Sequence, residues 1–85
     1  MTDTIEAAVA SAIQTVLRDT GRGVTSVEEQ MLLSADLGLD SLDLAQTVVL
    51  LERALGQDPF RTAGGGRTVR TVGDLVAIYR QAAGP

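Results

Sequence analysis

The sequence predicts an all-α fold, a small three- to four-helix bundle with a long loop between helix one and helix two. Three observations predict it. Aliphatic residues recur at helical spacing near both ends of the chain, a middle stretch LDLAQTVVLLERAL is apolar on most sides, and the segments between have no sustained period. With 85 residues, the chain is expected to form one domain spanning 1–85. Hydrophobic residues make up 45% of it, but there is one Tyr, one Phe and no Trp, so aliphatic side chains must fill the core.

In the first helix Ile5, Val9, Ile13, Val16 and Leu17 line one face, between a start at Thr2, Asp3 or Thr4 and an end near Gly21. The loop that follows, GRGVTSVEEQMLLSADLGLD, offers Val24, Val27, Met31, Leu32, Leu37 and Leu39 as anchors onto the core. Ser26 and Glu29 stand at capping-box spacing, which predicts a short helical turn there. From Leu42 to Leu55 the spacing directs Leu44, Val48, Leu51 and Leu55 to the core and leaves Leu42, Ala45, Val49 and Leu50 around the flanks. So much apolar surface on one helix of a small domain points to a partner. Pro59 and three consecutive glycines make the next stretch a loop, with a possible fourth short helix between residues 58 and 66. The last helix opens on Thr71-Val-Gly-Asp74, a capping box, and lines up Val72, Leu75, Val76, Tyr79 and Ala82.

Composition excludes most catalysis. Without Cys or His there is no disulfide, thiolate nucleophile, Ser–His pair or ordinary zinc site. The chain is not expected to be an enzyme, since carboxylates on a solvated surface make poor general bases. The start, MTDTIEAAVA, has no positive region leading into an apolar one, and no apolar run approaches membrane-spanning length. A cytoplasmic monomer without membrane contact is therefore expected. Residues 1–60 hold ten acids against Arg18, Arg22 and Arg53, whereas residues 61–85 hold four Arg against Asp74. The acids are densest from Glu28 to Asp43, with no basic residue among them, so a nucleic-acid surface is not expected there. GGGRT at 64–68 lacks the spacing of a phosphate-binding loop, and Arg61, Arg67 and Arg70 read as solvated charges or a weak anion patch.

Within that acidic stretch, LGLDSL sets Ser41 at the mouth of the apolar helix. A plain helix cap by Asp40 or Ser41, with Asp43 at capping-box spacing, accounts for the helix start. It does not account for an apolar helix with acids gathered at its mouth. The segment ADLGLDSLDLAQTVVLLE resembles the D-S-L attachment motif of acyl carrier proteins. D-S-L alone carries little, and its specificity comes from the mid-chain position, the preceding L-G-L and the four-segment plan. The resemblance is best from Val24 to Gly56 and poorest from Gln57 to Arg70.

The resemblance implies that Ser41 is esterified by 4′-phosphopantetheine, which a separate phosphopantetheinyl transferase takes from coenzyme A. It implies that Asp40 serves transferase recognition and that the terminal thiol of the arm carries acyl groups as thioesters. A phosphodiester at a helix N-terminus meets free N–H groups and a favourable dipole. Further partners implied are an acyltransferase or acyl-loading ligase and a ketosynthase or other polyketide-type enzyme. The partner face is expected on Leu42, Asp43, Gln46, Val49, Leu50 and Arg53. Gln46, Arg53 and Ala54 stand where fatty-acid carriers tend to have carboxylates, which favours polyketide-type biosynthesis. Two alternatives stay open: an aminoacyl or peptidyl carrier, and an unmodified helical adaptor docking through the second helix.

Overall fold

The computed structural model describes residues 4–22, 26–56, 59 and 69–82. Three helices form among them: α1 (Thr4–Asp19), α2 (Ser41–Leu55) and α3 (Val72–Ala82). The predicted short helix between 58 and 66 lies outside the described residues except for Pro59, which is buried, and Val24 lies outside them altogether. No described helix is long and apolar enough to cross a membrane.

Helix α1 buries Val9, Ala12, Ile13, Val16 and Leu17, the stripe its spacing predicts, and packs on both α2 and α3. Helix α3 begins at the expected capping box: the Asp74 N–H donates to the Thr71 hydroxyl at 3.0 Å, and the Asp74 carboxylate accepts from the Thr71 N–H at 3.1 Å. Its buried side chains are Val72, Leu75, Val76, Ile78 and Tyr79.

The loop between α1 and α2 is anchored through its backbone as well as its leucines. Leu32 and Thr71 form an antiparallel bridge, flanked by Leu33 N–H to Arg70 carbonyl at 2.9 Å and Val72 N–H to Met31 carbonyl at 3.0 Å. One bond further, the Gly73 N–H donates to the Glu29 carbonyl at 2.8 Å, and a Cβ on Gly73 would stand 3.2 Å from that oxygen. These bonds hold the backbone around Glu29 against the start of α3, and in place of the predicted helical turn at Ser26–Glu29 a single turn closes from the Met31 N–H to the Glu28 carbonyl at 3.1 Å. The bridge also reverses one expected anchor. Successive side chains of an extended segment point to opposite sides, so Leu33 turns into the core and Leu32 is exposed.

Leu33, Leu37 and Leu39 then close the core beneath α2. Gly38, at φ 69°, provides the left-handed turn between Leu37 and Leu39 that lets both point inward. Each buried leucine contributes roughly 1.5–3 kcal/mol relative to an exposed one. The loop therefore holds Asp40 and Ser41 in a fixed place at the mouth of α2.

Candidate functional site

Asp40 is the N-cap of α2. Its backbone is extended (φ −93°, ψ −175°), its carboxylate accepts from the Asp43 N–H at 2.8 Å, and the Asp43 carboxylate accepts in return from the Asp40 N–H at 3.3 Å. The cap thus falls to Asp40 of the two candidates. Ser41, the first helical residue, is exposed, and its hydroxyl bonds to no described residue.

Asp43 departs from the expected partner stripe. It is 5% exposed, and its carboxylate lies 2.9 Å from the Arg22 guanidinium, which reaches it from just beyond the end of α1. Four residues on, the buried Thr47 hydroxyl donates to the Asp43 carbonyl at 3.0 Å. The face of α2 turned fully inward is therefore Asp43, Thr47 and Leu51, not the predicted row of Leu44, Val48, Leu51 and Leu55. Leu44 and Leu55 pack against the core only in part. Two polar residues can face inward because each finds its partners within the fold. Arg22 also answers one of the acids that has no basic neighbour in sequence.

The hydrogen bond from the Asp40 N–H, followed by Arg22, holds the Asp43 carboxyl below its ordinary pKa against the upward push of burial. The N–H groups of Arg70 and Thr71 do the same for Asp74. A carboxyl depressed in the folded state stabilises the fold above its unfolded pKa, and that contribution is lost as pH falls through the folded value. The urea midpoint should therefore stay level from neutral pH down to about 5 and decline below about 4. In Asp43→Asn the neutral-pH midpoint should be lower and the acid decline shallower. Equal profiles for the two proteins would rule out a contribution from this carboxyl.

Of the remaining expected partner residues, Leu42 is 66% exposed and Val49 47%, with Gln46 and Arg53 also exposed. Leu50 is half-buried and packs on the core. The outward surface of α2 is thus apolar at Leu42, Ala45 and Val49, with Gln46 and the cationic Arg53 beside it. Ser41 stands between two depressions. One, about 360 Å³, runs towards α3 between Leu33, Leu39, Leu44 and Val69, with Asp40 and Arg70 also lining it. The other, about 340 Å³, lies along Leu44, Ala45 and Val48. Ser41 and Asp40 stand at the mouth of α2 where the sequence puts them, whereas nothing in the sequence marks Arg22 except its place at the end of the first helix. Arg70 belongs to the cleft, whereas Arg61, Arg67 and the glycine run lie outside the described residues.

An exposed, unengaged hydroxyl on a capped helix, with open space on both sides, suits esterification by a long arm. The sequence profile of the phosphopantetheine attachment site family matches residues 7–77. Among solved structures, MacpD, an acyl carrier protein from Pseudomonas fluorescens involved in mupirocin biosynthesis, is similar, with 38% identity and a TM-score of 0.80 over 95% of this chain and 72% of that one. A Mycobacterium tuberculosis protein described as a candidate acyl carrier protein is similar at 31% identity and a TM-score of 0.72, over 91% of this chain and 96% of that one. No curated protein sequence matches significantly.

Proposed function

The chain belongs to the acyl carrier proteins of the phosphopantetheine attachment site family, with covalent 4′-phosphopantetheine as cofactor, and from that premise we propose that Ser41 is the attachment residue of a polyketide-type carrier. The observation that carries the assignment to Ser41 is its exposed hydroxyl at the first position of α2, relieved of capping by Asp40. In the attachment step the Ser41 oxygen forms a bond to the β-phosphorus of coenzyme A. The phosphoanhydride bond breaks, adenosine 3′,5′-bisphosphate leaves, and the hydroxyl proton passes to a base of the transferase. Asp40 serves that enzyme in orienting the serine. The bound arm supplies a terminal thiol on which an acyl group travels as a thioester. The chain itself catalyses nothing in this reading and presents its cargo to loading and condensing enzymes.

The polyketide-type assignment is supported by the outward face of α2. With Asp43 turned inward, no carboxylate is fully exposed between Leu42 and Leu55, and Arg53 adds a positive charge. A partner built to receive a uniformly acidic helix would set cations against Arg53, and like-charge contact penalises wrong complexes. The likeness to a carrier involved in mupirocin biosynthesis points the same way. The test is to convert the chain with a promiscuous transferase and coenzyme A, acylate it, and offer it to fatty-acid and polyketide-type ketosynthases. Failure to gain one arm would refute the carrier assignment. Serving the fatty-acid enzyme as well as a genuine fatty-acid carrier does, with no gain from Gln46→Glu plus Arg53→Glu, would refute the polyketide-type reading. With a cognate ketosynthase, Val49→Asp should weaken condensation by placing a charge in an apolar contact.

A further inference from the structure

Esterification of Ser41 would bring a phosphodiester anion to a place already negative. Asp40 is its exposed neighbour in sequence, and exposed Asp36 lies just before it, with a carboxylate that accepts from the Leu32 N–H at 2.7 Å. Among the described residues, the cation that lines the cleft Ser41 shares with α3 is Arg70. Arg70 is exposed, and its guanidinium forms no ion pair with a described carboxylate, although its charge bears weakly on Asp74. Its backbone is fixed from both sides: the carbonyl accepts from the Leu33 N–H at 2.9 Å, and the N–H donates to the Asp74 carboxylate at 3.0 Å. The side chain is therefore rooted beside the apolar floor of Leu33, Leu39, Leu44 and Val69, with no ion pair to a described carboxylate.

We propose that Arg70 is a positioning residue for the phosphopantetheine arm, its guanidinium pairing with the phosphodiester on Ser41 so that the arm starts along the cleft towards α3. A guanidinium matches phosphate oxygens with paired donors, which an ammonium does only as a point charge. The pairing offsets the repulsion from Asp40 and Asp36, and it selects the α3 side over the depression along Ala45 and Val48. The inference rests on Ser41 as attachment residue.

The test compares unmodified and arm-bearing forms of wild type, Arg70→Gln and Arg70→Lys by two-dimensional amide NMR, with intact mass recorded for each. In wild type, modification should shift the Leu33 and Val69 amides as well as those of Ser41 and Leu42. In Arg70→Gln the cleft shifts should be lost while those at Ser41 persist, and Arg70→Lys should restore part of them. The substitutions leave both backbone bonds of residue 70 in place, so the unmodified spectra should superimpose elsewhere. Raising salt on the modified wild type, which needs no variant, should also shrink the cleft shifts through screening. Cleft shifts that are absent in wild type, that survive in Arg70→Gln or that ignore salt would overturn the role of Arg70. A wild type that gains no arm would instead overturn the attachment reading.

Discussion

Ser41→Ala should gain no mass when incubated with a promiscuous phosphopantetheinyl transferase and coenzyme A, under conditions in which wild type gains one arm to completion. The effect is all or none because, in the proposed attachment, the hydroxyl oxygen is the atom that joins the phosphorus. Misfolding would not explain such a loss. Asp40 provides the cap of α2, and the Ser41 side chain is exposed without a described hydrogen bond, so the substitution should cost less than the ~1 kcal/mol of a lost N-cap. Asp40→Ala should cost about that much and slow the transfer without abolishing it. Ser34, an exposed hydroxyl lining the same cleft, is the control. Ser34→Ala should load like wild type, whereas an equal gain in Ser41→Ala, or a loss in Ser34→Ala alone, would move the arm off Ser41.

The place of Ser41 at the start of α2 was legible in the sequence because the features that set it are local. A capping box needs residues three apart, and Asp40–Asp43 and Thr71–Asp74 both form one. Ser26–Glu29 has the same spacing and forms no helix, and the backbone that would continue it is instead drawn to α3, whose first N–H groups bond the carbonyls of Glu29 and Met31. That competition is between segments far apart in the chain. The choice between Leu32 and Leu33 was equally hidden. Two adjacent leucines have the same hydrophobicity, and only the bridge to Thr71 decides which one turns inward.

The inward face of α2 differs in part from the expected row, of which Leu51 is buried and Leu44 and Leu55 pack against the core only in part. Leucine and valine occupy so many positions there that several helical stripes score alike, and the stripe that wins passes through Asp43 and Thr47. Hydrophobic spacing ranks such a stripe low because it prices both residues as unpaired. What makes it viable is Arg22, more than one helix turn past Leu17 and half-buried against the carboxylate. The consequence reaches the site itself. Turning Asp43 inward removes a negative charge from the outward face of α2 and leaves Leu42, Ala45 and Val49 exposed there.

Leu51→Ala should unfold a large share of the protein at ambient temperature. Leu51 has no exposed surface and closes the inward row of α2 over the core. Truncating a fully buried leucine costs about 2–5 kcal/mol, through lost transfer energy and the cavity left behind. A domain of this size has only a few kcal/mol in hand, because its core is small relative to its surface. At roughly 4–8 °C of melting temperature per kcal/mol for a domain of 60–100 residues, the midpoint should fall by about 10 °C or more. Leu42→Ala supplies the contrast, since a side chain that is 66% exposed has little burial to lose. Circular dichroism melts of the two variants separate the core face from the outward face on a helix whose hydrophobicity does not. A Leu51→Ala midpoint within 2–3 °C of wild type, on that ~4–8 °C per kcal/mol scale, would mean that α2 does not rest on this row, and the inward placement of Asp43 and Thr47 would fall with it.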